Sequence, residues 1–166
     1  MIRHYVPFTI LRSIYFSLFQ PHIYYGLQIW GQNLCPRSRT NRLQRIAVRL
    51  ITFTVFNVPS KPLFVLAKIP TVSEYVFKLN ILLAHDILNL ASPFAVQQIL
   101  NIQFLPDRYL TRGKEIKLLK RPYVRATKYG INSMRYQIVL NWNLLQKLFN
   151  NIDLLSLRRT RINTLL

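Results

Sequence analysis

The chain has 166 residues, 51% of them hydrophobic and 13% aromatic, which is enough apolar material for one packed domain with or without an extension and excludes a wholly disordered polymer. Against this stand 23 Lys+Arg, 5 Asp+Glu and a formal net charge of +18, a surface that calls for polyanions nearby. Cys35 is the only cysteine, so an intramolecular disulfide, a cysteine-based zinc cluster and an iron–sulfur centre are excluded, and with them a secreted, disulfide-stapled domain.

Arg3, His4 and Pro7 lead directly into an amphipathic pattern and not into the apolar centre and cleavage site of a secretory signal. The expectation is an intracellular protein, nuclear or cytoplasmic. Residues 13–36 contain no Asp, Glu, Lys or Arg and are followed by Arg37, Arg39 and Arg42, the outline of a membrane span with a positive flank. Gln20, Pro21, His22, Gln28, Gln32 and Asn33 within it favour two amphipathic helices meeting at Pro21.

The first of these helices places Phe8, Leu11, Ile14, Tyr15, Leu18 and Phe19 on one face. In the second, Ile23, Leu27 and Trp30 form a stripe flanked by Tyr24 and Tyr25, with Gly26 for close approach to a neighbour and Gly31 as a stop. Together they predict a helical hairpin. From Arg39 to Ile51, at about 100° per residue, Arg39, Arg42, Arg45 and Arg49 fall within an arc of roughly 120°. Leu43, Ala47, Leu50 and Ile51 take the adjoining arc. No acid interrupts the row, and four arginines without an intrahelical partner repel one another, so an anionic ligand is favoured over bare solvation.

Pro59, Pro62 and Pro70 punctuate a connection, after which Ser73 is expected to cap a long helix to about Leu90 with Glu74 in its first turn. Val76, Leu79, Leu83, Ile87 and Leu90 are its expected buried face. Ser92 and Pro93 open a further helix, with Ala95, Ile99, Leu100 and Ile102, as far as Phe104. From Pro106 the character changes. Between Arg108 and Arg135 there are nine Lys or Arg residues against the single acid Glu115, with Tyr109, Tyr123 and Tyr129 interleaved. Arg121-Pro122 and Tyr129-Gly130 interrupt helix, and alternation at Tyr123, Arg125, Thr127 and Tyr129 suits a strand or extended arm. Tyrosines among cations either offer stacking planes for bases or pin the loop onto the core. Ser133 caps a last long helix through Val139, Trp142, Leu145 and Phe149, and a short terminal helix from Leu154 to Leu165 carries Arg158, Arg159 and Arg161.

The predicted fold is therefore mostly α: a bundle of about five to six helices with a basic extended arm or short β hairpin around 106–132. Residues 1–105 form a helical core region, 106–132 the basic segment, and 133–166 helices that pack on the core. Chemistry is sparse. The acids Glu74, Asp86, Asp107, Glu115 and Asp153 do not cluster as a two-metal polymerase or nuclease requires. His4, His22 and His85 lack metal-ligand spacing, the four glycines form no phosphate-cradling loop, and Cys35 has no base at catalytic spacing. No catalytic residue, metal or cofactor is expected of this chain.

The order of residues resembles the region downstream of the catalytic centre in reverse transcriptases of non-LTR (LINE-type) retrotransposons. LRSIYFSLFQPHIYYGLQIWG at Leu11 to Gly31 carries the resemblance through Tyr15, Tyr25, Gly26, Trp30 and Gly31. LQRIAVRLIT at Leu43 to Thr52, PLFVLAKIPTV at Pro62 to Val72 and Ser92-Pro93-Phe94 are similar to later blocks. Thr111-Arg112, Pro122, Arg125, Tyr129-Gly130, Ser133, Tyr136, Trp142-Asn143 and Ser156-Leu157 continue the family's order. The resemblance implies a thumb-like region that grips template and primer or the element's own RNA, and a larger RNA-directed DNA polymerase bearing the Asp-Asp active site. It also implies a truncated, element-derived reading frame whose missing palm is a further partner.

The expected ligand is RNA or DNA backbone, held by Arg39, Arg42, Arg45 and Arg49 on one helix and by Arg108, Arg112, Lys114, Lys117, Lys120, Arg121, Arg125, Lys128 and Arg135 in and beside the arm. Tyr109, Tyr123 and Tyr129 are candidates for base stacking. Two alternatives stand beside this: a cationic helical protein lying on or in a membrane through residues 13–36 and 87–106, and a decayed remnant that aggregates without the rest of its enzyme.

Overall fold

The computed structural model describes residues 5–55, 57–105, 118–126, 130–149, 154–155, 157 and 159–165. The chain is mostly α, as its periodicity predicts, and divides by contacts into two units, residues 1–76 and 77–166.

In the first unit, α1 (Phe8–Ile14) passes through a π-helical turn (Tyr15–Phe19) into α2 (Gln20–Tyr24). Pro21 does not separate two helices, because Ile14, Phe19 and Gln20 all keep right-handed helical dihedrals. The wider π turn, in which the Gln20 N–H reaches back to the Tyr15 carbonyl, absorbs a proline that has no N–H to give and would crowd a carbonyl four residues earlier. It also shifts the buried face. Tyr15 and Phe19 stay together with ring centroids 5.2 Å apart, whereas Ile14 and Leu18, expected inside, are 45% and 64% exposed.

The chain turns at Gly26 into α3 (Leu27–Trp30), which stops at Gly31 as expected, but the close approach expected of Gly26 falls at Gly31 as well. Gly26 has φ +62°, the left-handed region that glycine adopts without strain, and a side chain there would meet only ordinary contacts. Gly31 is the close approach: a Cβ there would lie 2.7 Å from Val76 Cγ2 and collide with the Leu27 carbonyl.

Next comes α4 (Leu34–Ile51), started by Asn33, whose side chain accepts from the Cys35 N–H. The supposed connection after it contains α5 (Ser60–Ala67). Pro62 lies in the first turn, where a missing N–H does no harm, and Leu63, Phe64 and Ala67 are buried against Tyr15, Val48, Ile51 and Ile69. Arg12 ties this core together: its Nε donates to the Ala67 carbonyl at 2.8 Å and its guanidinium lies 4.8 Å from the Phe16 ring centroid.

The long helix α6 (Val72–Leu88) is capped by Thr71, not Ser73. Thr71 Oγ1 accepts from the Glu74 N–H at 3.2 Å while Glu74 Oε2 accepts from the Thr71 N–H at 2.9 Å, a reciprocal capping box. The division between the units falls inside α6. From Phe77 onward it belongs to the second unit, where Ile81, Leu82, Ala84 and Ile87 pack with Leu100, Leu119, Ile138, Val139, Trp142, Leu145, Leu154 and Ile162. Leu79 and Leu83 are only half-buried. Leu90 lies beyond the helix end at φ 57° and is 76% exposed, so it is not part of the buried face.

Pro93 precedes α7 (Phe94–Leu100), which ends at Asn101 in a left-handed conformation instead of running to Phe104, and Ile99 is 77% exposed. Phe104 instead pairs with Leu119 in an isolated antiparallel bridge, and among the described residues this is all that appears of the expected hairpin or arm pairing. Asn143 holds that bridge from inside. Its Oδ1 accepts from the Leu119 N–H at 2.8 Å and its Nδ2 donates to the Leu119 carbonyl at 2.9 Å, so a buried amide substitutes for a neighbouring strand. Asn143 lies on α8 (Met134–Leu148), which begins as predicted with Ser133 accepting from Tyr136. In α9 (Arg159–Leu165), Arg159 meets Asp86 at 3.0 Å.

Candidate nucleic-acid interface

One face of α4 is fixed by burial. Gln44 and Val48 have no exposed surface and Ile51 has 6%, and a helix of 3.6 residues per turn then directs Arg39 and Arg42 to the opposite side and Arg45 to the flank, about 100° from Gln44. All three are exposed. Leu43 and Leu50, in the apolar arc adjoining the arginines, are 58% and 43% exposed. The residue buried instead is polar: Gln44 Nε2 donates to Tyr15 Oη at 2.9 Å and to the Pro70 carbonyl at 2.8 Å, and its Oε1 accepts from the Val72 N–H at 3.0 Å. A buried amide with those partners links α4 to the π turn and to the start of α6, so the arginine row stands on a fixed base.

Arg49 does not share the fate of the other three. It is half-buried and its Nη2 donates to the Val58 carbonyl at 3.0 Å, closing the loop after α4. Arg45 is anchored only at its stem, with Nε donating to the Asn41 carbonyl at 3.3 Å. Residues 1–76 contain a single acid, Glu74, and its carboxylate is engaged by the Thr71 N–H. Among the described residues, no carboxylate is paired with Arg39, Arg42 or Arg45. At 1.5 Å rise per residue, Arg39 to Arg45 spans about 9 Å, a length comparable with two or three successive phosphates on one strand.

Beside the row, the first unit has an open cleft of about 850 Å³ lined by Asn41 and Arg45 from α4, Lys61, Phe64 and Lys68 from and just after α5, and Ser73 from α6. Lys61 and Lys68 lie outside the sequence-derived set because the Pro-rich stretch around them does not read as a helix. The signal available was the spacing of Leu63, Phe64 and Ala67 behind Pro62.

In the second unit, Lys120, Arg121 and Arg125 are exposed. Tyr123 is 85% exposed with the Arg125 guanidinium 5.9 Å from its ring centroid, so of its two possible roles it does not pin the segment to a core. Arg135 is exposed but donates to the Asn101 carbonyl at 2.8 Å, capping the end of α7. Arg108, Tyr109, Arg112, Lys114, Lys117, Lys128 and Tyr129 lie outside the described residues. The structure thus brings together Arg39, Arg42 and Arg45 on one helix and Lys120, Arg121 and Arg125 on one short segment, and diverts Arg49 and Arg135 to backbone carbonyls.

Burial shifts the ionisation of two tyrosines upward. The hydroxyl pKa of Tyr15 is raised by desolvation, against the bond from Gln44, and that of Tyr24 is raised further by desolvation and then by the neighbouring Tyr75 and Tyr15. Tyr24 stacks on Tyr75 with centroids 3.8 Å apart. His85 is buried between the Leu157 carbonyl and the Asn89 amide, at 2.9 and 2.8 Å, and His22 is exposed. Among the described residues, no group of three or more His, Cys, Asp or Glu side chains is arranged to hold a metal, and no helix is long and apolar enough to cross a membrane. No protein-family model matches the chain, and neither the curated proteins nor the solved structures contain a match.

Proposed function

We propose that this chain is a non-catalytic nucleic-acid-binding segment that grips the sugar-phosphate backbone of RNA or DNA, in the manner of the thumb and post-polymerase region of a non-LTR retrotransposon reverse transcriptase. The observation that carries the reading is the exposed row Arg39, Arg42 and Arg45, on the solvent side and flank of a helix fixed by the buried Gln44 and Val48, with no carboxylate paired to it among the described residues. Like charges three residues apart on a helix repel by about 0.2–0.5 kcal/mol per pair, and a polyanion removes that penalty. Exposed Tyr123 among Lys120, Arg121 and Arg125 adds a stacking plane beside phosphate donors. The polymerase context comes from the sequence resemblance alone. Exposed Ile10, Ile14 and Leu18 are compatible with a protein partner, which in that family is the palm.

Contacts of this kind recognise phosphate and not base sequence. Fluorescence anisotropy with duplex DNA, RNA–DNA hybrid and single strands tests the proposal. Binding is expected to all three at low salt, weakening by about 10³ to 10⁵ between 50 and 200 mM if six to ten phosphates are neutralised. Affinity no better than that of a neutral control protein at low salt refutes it.

A further inference from the structure

The cleft beside the arginine row has a chemistry of its own. Its volume of about 850 Å³ lies within the range of clefts that take small molecules, roughly 300–1,000 Å³. Three cations line it, Arg45, Lys61 and Lys68, against one carboxylate. That carboxylate, Glu74, is turned to the Thr71 N–H and closes the capping box of α6. Glu74 keeps its charge and offsets one of the three cations, so the described lining of the cleft carries an excess of two positive charges. Phe64 and Ile69 add apolar wall, and Ser73 and Asn41, joined by a 3.2 Å hydrogen bond, add donors and acceptors at the rim.

Lys68 occupies a left-handed conformation with φ 52° at the end of α5, where glycine is favoured. Phe53, Leu90 and Asn101 close other helices in the same way.

An anionic end, an apolar wall and a few amide and hydroxyl groups together describe a nucleotide. We infer that this cleft seats one nucleotide of a single strand, its phosphate held by Arg45, Lys61 and Lys68 and its base and sugar against the Phe64 wall. The inference rests on the nucleic-acid reading above and adds a strand preference to it. A duplex keeps its bases stacked inside and presents phosphates on a convex surface, so it can lie along Arg39 and Arg42 but cannot enter a concave pocket without a base leaving the stack. A single-stranded end or overhang enters without that penalty. Arg45 belongs to both places and joins the row to the cleft.

Two double variants of the full chain separate the cleft from the row. Lys61→Ala with Lys68→Gly empties the cleft of two cations while giving position 68 the residue its backbone favours, and Arg39→Ala with Arg42→Ala strips the row. Calorimetric titration with adenosine monophosphate and, separately, inorganic phosphate reads the cleft; anisotropy with a blunt duplex reads the row; a thermal melt of each variant checks that it is folded. The expected result is nucleotide binding weakened about tenfold or more by the cleft variant and less than twofold by the row variant, with the opposite pattern for the duplex. Equal losses in both variants, or no nucleotide binding by the unaltered chain, overturn the inference while leaving the nucleic-acid reading intact if the duplex still binds. Inorganic phosphate binding as tightly as the nucleotide also overturns it, since the cleft is then an anion site only. Nucleotide binding without duplex binding supports the cleft and removes the broader reading.

Discussion

Gln44→Ala is expected to loosen the whole first unit, because the amide it removes has three partners. Gln44 has no exposed surface and bonds Tyr15 Oη, the Pro70 carbonyl and the Val72 N–H. Each bond contributes about 1 kcal/mol net, and each partner left without water in a closed site adds a desolvation penalty, so a total loss of about 3–4 kcal/mol is expected. At 1.4 kcal/mol per decade that is roughly a 150- to 700-fold rise in the population of the opened state. Native-state hydrogen exchange at Val48 and Ile51 in α4 and at Val76 in α6 reads this directly. Acceleration of about 100-fold or more is expected at all three. Acceleration under about threefold would refute the reasoning and mean that water replaces the amide without penalty. Gln44→Glu sharpens the test. The ionised carboxylate has no donor for the Pro70 carbonyl, whereas the protonated acid regains one. Its folded-state pKa is therefore raised, so stability is present at low pH and is lost as pH rises through that value.

Gly31→Ala places a methyl group against Val76 Cγ2 and the Leu27 carbonyl; a loss of about 1–3 kcal/mol is expected in denaturant unfolding, and an unchanged midpoint would contradict the close approach. Asn143→Ala removes both bonds to the Leu119 backbone and is expected to destabilise by about 2–3 kcal/mol with fast exchange of the Leu119 amide; retained protection would mean that the bridge to Phe104 suffices. Tyr24→Phe is expected to be neutral or stabilising at pH 7, because the buried Tyr24 Oη has no hydrogen-bond partner among the described residues and the stack on Tyr75 survives. Because burial raises the Tyr24 pKa above 10.0, the folded state holds its proton more tightly, and stability is lost as pH rises above the unfolded value. Thermal melts between pH 9 and 11.5 should show a shallower decline in Tyr24→Phe, and identical declines would contradict that assignment.

Helix α8 is the most legible part of the fold, since Ser133 marks its start and Val139, Trp142 and Leu145 its buried face, all as the structure has them. The arginine row is legible for the same reason: helical spacing fixes its direction once the chain is helical. What the pattern conceals is polar burial. Gln44 and Asn143 are inside, each bonded to backbone groups of other segments, and no hydropathy pattern distinguishes such an amide from a solvated one. The π turn at Tyr15 moves Ile14 and Leu18 outward through backbone geometry that a strict 3.6-residue period omits. Prolines mislead in both directions. Pro21 lies inside a continuous helical path, and Pro62 begins a helix in what reads as a connection. Among the cations, exposure separates Arg45 from Arg49, whose guanidinium bonds the loop carbonyl of Val58, a contact that helical spacing does not reveal.

The salt dependence of duplex binding by the unaltered chain and by Arg39→Ala/Arg42→Ala/Arg45→Ala tests the central claim most directly. If the three guanidiniums each neutralise one phosphate, the slope of log affinity against log salt becomes shallower by about 2.7 in the variant. Parallel slopes for the two proteins, or no binding by the unaltered chain at 50 mM salt, would contradict the account.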